Sequence, residues 1–175
     1  MATAPKYTPH YTHADYEQWS GDWELWQGVA VAMTPSPFGK HQLVGANFVG
    51  LLRSACQRTD YRVLYEIDWI ISEDTVVRPD VVIHYGAIPE RHLETPPVLI
   101  TEILSPSTES KDKTSKRELY QHEGVQYYLI ADPNDKTLVA LELIDGRYQE
   151  KDFDTNLVID LANCQINLNV QELWD

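Results

Sequence analysis

The sequence has no long apolar run and only two cysteines. No stretch approaches the roughly 18 apolar residues that a membrane-spanning helix needs, and the chain does not open with an apolar segment behind a basic one. Cys56 and Cys164 are too few for a disulfide framework and lack the spacing of a zinc site. These absences predict a soluble protein with no secretory signal and a cytoplasmic location.

Positive charge is also scarce. The 27 Asp and Glu residues outnumber the 14 Lys and Arg residues, which gives a net charge of −13. Proteins that grip a phosphate backbone usually carry a basic surplus, so any nucleic-acid partner must be held locally. Basic residues cluster at Lys111, Lys113, Lys116 and Arg117, and the chain after Glu118 is strongly acidic. This asymmetry predicts one working face.

What the chain has is the composition of a folded domain. It has 175 residues, of which 43% are hydrophobic, with ten Tyr and five Trp and no low-complexity tract. A chain of this length can bury roughly 70% of its unfolded surface, so we expect a single domain over 1–175.

Capping, periodicity and turn signals predict alternating helices and strands. The N-terminal half is expected to contain a helix from a Thr12/Asp15 capping box to about residue 19, a hairpin over 23–33 around Gly28, a helix from Ser36 or nearby to about residue 58, and strands at 62–71, 76–84 and 97–104. The C-terminal half is expected to contain a helix over 110–123 ending at Gly124, a strand at 126–131, a hairpin of 136–144 and 147–151 around Asp145-Gly146, and a tail over 157–174 with one strand and a short helix. The strand–helix–strand order around 97–131 implies a parallel pair.

Two carboxylates stand inside short apolar runs that favour strands. Asp80 follows Pro79 and precedes 81–83, while Glu102 lies within 97–104, where alternation puts it on the same face as Ile100 and Leu104. An isolated buried carboxylate costs several kcal/mol, so it is retained when paired, hydrogen-bonded or bound to a cation. A buried pair between Glu102 and an Arg or Lys, and an ordinary turn at Pro79-Asp80, are the structural alternatives.

If the two strands are neighbours, the two carboxylates can hold one Mg²⁺, a hard ion that takes oxygen ligands and keeps several waters. Such an ion lowers the pKa of a bound water and neutralises charge that develops on a phosphoryl oxygen. The pair therefore predicts hydrolysis of phosphodiester bonds.

This spacing resembles the PD-(D/E)XK nuclease motif, in which a Pro-Asp pair is followed after a strand-length gap by a strand carrying Glu. More specifically, the chain is similar to the Uma2 family of restriction-endonuclease-like proteins. The matching positions are 24–28, Pro35, His41, 79–82, 102–108, Asp112, Lys116, Tyr120 and 124–133. The resemblance implies an α/β fold with a restriction-endonuclease-like core, a mixed β-sheet flanked by helices, and an N-terminal helix and hairpin. It also implies an endonuclease that uses Mg²⁺ or Mn²⁺ and acts on DNA.

One position departs from the motif. Its lysine should stand two residues after Glu102, but that position is Leu104, which can neither stabilise charge nor orient a water. Lys116 is the best substitute, because the helix after this strand can return a side chain to the site. The alternative is an exposed pair of Asp112 with Lys116 at i and i+4, worth only about 0.2 to 0.5 kcal/mol. Lys111 and Lys113 are predicted to contact phosphate.

Two further residues are candidates for the site. His41 lies on the apolar side of the long helix, where a lone His is more often a packed core residue, and Glu24 lies in the first hairpin. The leading hypothesis assigns Asp80 and Glu102 as metal ligands, with Lys116 assisting the attacking water. The rival hypothesis is a catalytically silent nuclease-fold module that binds DNA or protein. A homodimer would suit the enzyme, since a two-fold pair can cut both strands of a duplex.

Overall fold

The computed structural model describes residues 9–33, 39–105 and 112–175. Its helices are α1 (His13–Tyr16), α2 (Gly39–Ala55), a π-helix (Asp112–Lys116) continued by α3 (Arg117–His122), and a 3₁₀ turn (Val170–Leu173). Its strands are β1 (Trp23–Trp26), β2 (Val29–Ala32), β3 (Tyr61–Tyr65), β4 (Trp69–Ser72), β5 (Thr75–Val77), β6 (Val81–Tyr85), β7 (Leu99–Ile103), β8 (Tyr127–Asp132), β9 (Thr137–Ile144), β10 (Arg147–Glu150), β11 (Asn156–Leu161) and β12 (Cys164–Asn169).

The strands form three sheets. The central sheet has six strands in the order β10-β9-β8-β7-β6-β3, and a four-stranded sheet has the order β2-β1-β5-β4. Strands β11 and β12 form a separate hairpin. Within the central sheet β7 and β8 are parallel and the other pairs are antiparallel, because the π-helix and α3 carry the chain back between β7 and β8. The expected mixed α/β sheet is confirmed.

Both faces of the central sheet are covered. On one face Phe48 and Leu52 of α2 pack with Leu99, Ile103 and the β11–β12 hairpin. On the other face Tyr120 of α3 and Trp69 of the smaller sheet pack against the side chains of the central strands that point away from α2. Each large apolar side chain removed from water in this way contributes about 1.5–3 kcal/mol to folding. Strand β7, which carries Glu102, is buried along its whole length.

The predicted hairpin turns are confirmed, whereas α1 and α2 end at Tyr16 and Ala55, about three residues before their predicted ends. Asp15 Oδ2 accepts hydrogen bonds from the backbone N–H and hydroxyl of Thr12, at 2.8 and 2.9 Å, although α1 ends at Tyr16, before residue 19. Gln27 and Gly28 have φ values of 47° and 80°, and Asp145 and Gly146 have 50° and 76°, as two-residue hairpin turns require. The expected N-cap at Ser36 lies outside the described residues.

Two predicted strands are each two strands in different sheets. The run 62–71 is broken at Glu66, whose φ of 47° ends β3, and β4 then joins the smaller sheet. The run 76–84 is broken at 78–80, where Pro79 has no N–H to donate to a ladder. The tail also differs from the prediction, because it contains two strands rather than one. Within the described part of the chain, no helix combines the length and apolarity needed to cross a membrane.

Candidate active site

Glu102 is an acidic side chain on β7, inside the central sheet. It is 2% exposed, and its neighbours in alternate register, Ile100 and Leu104, belong to the apolar cluster beneath α3. Its Oε1 accepts a hydrogen bond from Lys116 Nζ at 2.9 Å and another from the Tyr120 hydroxyl at 2.7 Å. The carboxylate is therefore stabilised as an anion inside the core.

Lys116 points into the protein from the end of the π-helix. It is 4% exposed, and its Nζ lies 2.9 Å from Glu102 Oε1 and 3.4 Å from Glu24 Oε1. The alternative of a lysine on a solvated helix face is therefore wrong. A π-helical turn is rare and is often found at functional sites, and here it ends at the lysine that reaches the strand glutamate.

Tyr120 follows Lys116 by one helical turn and is completely buried. Its ring stacks on Trp69, with centroids 6.0 Å apart, and meets Tyr128 edge-on at 5.1 Å, so the hydroxyl is held in place. Burial, together with the negative charge of Glu102, raises the pKa of Tyr120 well above its usual range. The hydroxyl is therefore protonated at neutral pH, where it donates to Glu102.

Glu24 enters the site from the smaller sheet. It lies on β1, is 3% exposed, and accepts hydrogen bonds from Trp26 Nε1 at 2.9 Å through Oε2 and from the backbone N–H of Arg78 at 3.1 Å through Oε1. The last contact fixes the segment that leads into Asp80. Glu24 thus joins the two sheets and shares Lys116 with Glu102.

Asp80 lies immediately before β6, beside the carboxylate strand. Val81 faces Thr101 in the β6–β7 ladder, so Asp80 is level with Glu102. Its Oδ2 accepts a hydrogen bond from the Ile103 backbone N–H at 2.7 Å and lies 3.4 Å from Nε2 of His41 on α2. His41 is buried, and its ring contacts Asp80 in addition to packing in the core.

Lys116 thus contacts both Glu102 and Glu24, while Asp80 contacts His41 and the backbone of Ile103, the residue after Glu102. Lys111 and the side chain of Lys113 lie outside the described residues. Leu104 packs into the apolar cluster under α3 and is 5% exposed, so the motif position two residues after Glu102 contributes only packing.

The donor set suits a particular kind of cation site. Carboxylate oxygens are the ligands that Mg²⁺ prefers, and Mg²⁺ is commonly held by one or two carboxylates with waters completing its shell. In residues 9–33, 39–105 and 112–175 there is no group of three or more His, Cys, Asp or Glu side chains that could hold a metal. The described side chains therefore form no cage around a cation.

The sequence alone assigned no site role to two contributors. Tyr120 is a buried core aromatic, and its position four residues after Lys116 puts both side chains on one helix face. Trp26 stands two residues after Glu24 on the same strand, so both side chains share a face, and its indole N–H donates to that carboxylate.

The mixed sheet, with Asp80 just before β6 and level with Glu102 on β7, and with a lysine from the crossover between β7 and β8, is that of a protein with a restriction-endonuclease-like fold. A family model for Uma2, described as "Putative restriction endonuclease", matches residues 13–171. The chain belongs to the Uma2 family.

A solved structure supports the same fold. The crystal structure of a protein described as "a putative nuclease belonging to DUF820" from Anabaena variabilis is similar to this chain, with a TM-score of 0.76 and 18% sequence identity. The match covers 93% of this chain and 97% of that one. No curated protein matches this chain.

Proposed function

We propose that this protein is a metal-dependent endonuclease that hydrolyses phosphodiester bonds in DNA. The observation that carries the proposal is the buried contact between Lys116 Nζ and Glu102 Oε1, at 2.9 Å. Position 104 holds leucine, so a lysine beside the motif glutamate has to come from elsewhere, and the π-helix supplies it. Membership of a family described as restriction endonucleases supports the same reaction class.

Asp80 and Glu102, with the main-chain carbonyl of Ile103, are the proposed ligands of Mg²⁺ or Mn²⁺. Such a cation, when bound, supplies an activated water and offsets charge on a phosphoryl oxygen. The Ile103 N–H and His41 hold the Asp80 carboxylate, and Tyr120 holds that of Glu102. The chain thereby orients both carboxylates before any ligand arrives.

Lys116 is proposed to act on the substrate. Its ammonium group offers a positive charge to the oxygens on which negative charge grows in the transition state, and a well-placed donor of this kind is worth roughly 2.7–4 kcal/mol. Glu24, at 3.4 Å, holds the ammonium group from the other side. Burial keeps water from screening the interaction.

A catalytically silent module is the second candidate, because Leu104 occupies the lysine position and Lys116 already pairs with two glutamates. Retention of the charged cluster weighs against it. Replacing buried ion pairs by apolar residues is often neutral or stabilising, so a module with no chemistry would gain by losing them.

Mg²⁺-dependent plasmid nicking and Mn²⁺ calorimetry test the proposal. We expect the wild type to nick DNA and bind Mn²⁺, and the Asp80→Ala, Glu102→Ala double variant to do neither. Lys116→Met should cut the nicking rate by about 10²–10³ while Mn²⁺ still binds, because a nearby ammonium group opposes cation binding.

Arg117→Met is the matched control, since it removes one positive charge from the next residue, whose side chain is exposed. Lys116→Met should also lower stability by about 3–5 kcal/mol, because it leaves buried carboxylates without their cation, so rates are compared below its melting temperature. Nicking by folded Lys116→Met at the wild-type rate would exclude Lys116 from catalysis. Absence of nicking by the wild type on every DNA tested would favour the silent module.

A further inference from the structure

Helix α2 lies in a part of the chain that has no acidic residue. Residues 25–59 contain neither Asp nor Glu, although the chain carries 27 of them, and this is the longest acid-free segment in the sequence. The same segment contributes Lys40, Arg53 and Arg58. In a protein of net charge −13, the surface of α2 therefore presents to a polyanion no carboxylate from the helix itself.

The exposed face of α2 forms one wall of a groove of about 600 Å³. Gln42, Ala46, Gly50 and Arg53 line it at intervals of three or four residues, so they form one stripe along the helix, and Gln57 lines it just beyond the end of α2. Tyr65 of β3, the end strand of the central sheet, lines the other side. A helix of this length extends about 25 Å, which is enough to follow several nucleotides of a strand.

One end of this groove, which we call the α2 groove, lies beside Asp80. Tyr65, which lines the groove, pairs with Val81, the residue after Asp80, in the β3–β6 ladder. Gly45 allows this arrangement, because a Cβ there would stand 3.2 Å from the Tyr65 ring.

The chemistry of the α2 groove fits a sugar-phosphate backbone. Arg53 offers a cation, and the amides of Gln42 and Gln57 offer donors of the kind that contact phosphate and sugar oxygens. Ala46 and Gly50 are small enough for close approach, and nothing lies within 4 Å of the position that a Cβ on Gly50 would take. Lys116 of the basic segment 111–117 is turned inward, so it adds no exposed positive charge to the surface of that segment.

We propose that the α2 groove binds the nucleic-acid strand whose reacting phosphate lies at Asp80 and Glu102. This inference rests on the proposed nuclease function and names its substrate-binding surface.

The test is binding of a labelled DNA duplex in EDTA, where no cleavage occurs, as a function of salt. Each phosphate contact contributes about 0.9 to the slope of log K against log salt. Arg53→Gln should therefore reduce that slope by about 0.9 and weaken binding about eightfold at about 0.1 M salt. Gly50→Glu, which places a negative charge in the groove without a clash, should weaken binding at least as much.

Arg147→Gln is the matched control. Arg147 is also an exposed arginine, but it lies on β10 at the opposite edge of the central sheet, so the same change in net charge should leave affinity and slope unchanged. Equal effects of Arg53→Gln and Arg147→Gln, or no effect of Arg53→Gln and Gly50→Glu, would overturn the proposal. A wild-type dimer that Gly50→Glu converts to a monomer would also overturn it, because a second copy would then fill the groove.

The nuclease function and the α2 groove can fail separately. If the wild type cleaves and Arg53→Gln binds DNA normally, the function stands and the surface is wrong. If Arg53→Gln weakens binding but the wild type cleaves no DNA, the surface stands on a silent module.

Discussion

At the scale of single residues, the site depends on Glu102 Oε1, which accepts hydrogen bonds from Lys116 and Tyr120 together. The lysine supplies charge, and the tyrosine supplies a donor whose direction is fixed by two packed rings. Groups that orient a metal ligand from behind typically change metal affinity or activity by 10–100-fold when they are removed. Tyr120 is therefore a positioning residue for Glu102 and has no proposed contact with the substrate.

We expect Tyr120→Phe to weaken Mn²⁺ binding about 10–100-fold, because the ring remains while the donor to Glu102 is lost. Stability should fall by about 1–3 kcal/mol, since a buried carboxylate loses a hydrogen bond. Calorimetry and urea unfolding measure the two effects separately.

Tyr148→Phe is the control for this prediction. Tyr148 belongs to the same aromatic layer, 6.0 Å from Tyr128, and its buried hydroxyl donates to the carbonyl of Val125 at 2.9 Å. It should lose stability in the same range while Mn²⁺ affinity is unchanged. If the two variants bound Mn²⁺ equally well, Tyr120 would have no role beyond packing.

The sequence identified the carboxylates more readily than their partners. Asp80 and Glu102 were visible because a charge inside an apolar strand run is costly. The burial of Lys116 could not be predicted, since an i, i+4 spacing after Asp112 suits a solvated helix face equally well. The contact of Glu24 with Lys116 depends on how one sheet sits against another, which no local pattern encodes.

At the scale of elements, the junctions between the two sheets matter most. The chain crosses from the small sheet to the central one at 78–80, and Arg78 holds that crossing. Its Nε lies 2.6 Å from Asp68 and its Nη1 lies 2.7 Å from Asp22, while its backbone N–H donates to Glu24. This one residue connects the segments before β1, β4 and β6.

Arg78→Ala should lower the free energy of unfolding by about 2–3 kcal/mol, because charge-assisted hydrogen bonds in a half-buried network are lost. Arg78→Lys should not restore it, since lysine lacks the planar fork that meets two carboxylates. Urea unfolding midpoints measure both.

Arg91→Ala provides the comparison. Arg91 lines the same cleft as Arg78, but its side chain is 75% exposed and lies 3.7 Å from Glu17. An exposed pair of this kind contributes about 0–1 kcal/mol, so little change is expected. Equal midpoints for Arg78→Ala and Arg91→Ala would show that the Arg78 network adds nothing to stability.

The predicted strand bounds were wrong where tertiary structure overrides a local sequence pattern. The hairpins at Gln27-Gly28 and Asp145-Gly146 were predictable, because few residues tolerate positive φ values. The strands at 62–71 and 76–84 were not, because an apolar run gives no sign of where it leaves one sheet and enters another.

At the scale of the whole molecule, its tyrosines set a limit at high pH. At least five tyrosines of the described part of the chain have a pKa raised above the usual value of 10, chiefly by burial, and Tyr16, Tyr65 and Tyr127 each reach about 12. Tyr120 and Tyr148 are raised as well. Above pH 10 the unfolded chain releases protons that the folded protein retains, so unfolding is favoured as pH rises.

Well below pH 10 these tyrosines are protonated in both the folded and the unfolded state, so the free energy of unfolding should be nearly constant between about pH 7 and 9. Above pH 10 the unfolded chain loses these protons first, so the free energy of unfolding should fall steeply. The buried Tyr120 alone adds a slope of up to about 1.4 kcal/mol per pH unit. Urea unfolding at stepped pH measures the fall, and tyrosinate absorbance should show about half of the tyrosines ionising only as the fold is lost. Tyr120→Phe should have a shallower fall than the wild type. Ionisation of all ten tyrosines near pH 10 in a protein that stays folded would contradict the burial of the aromatic side chains that support the site.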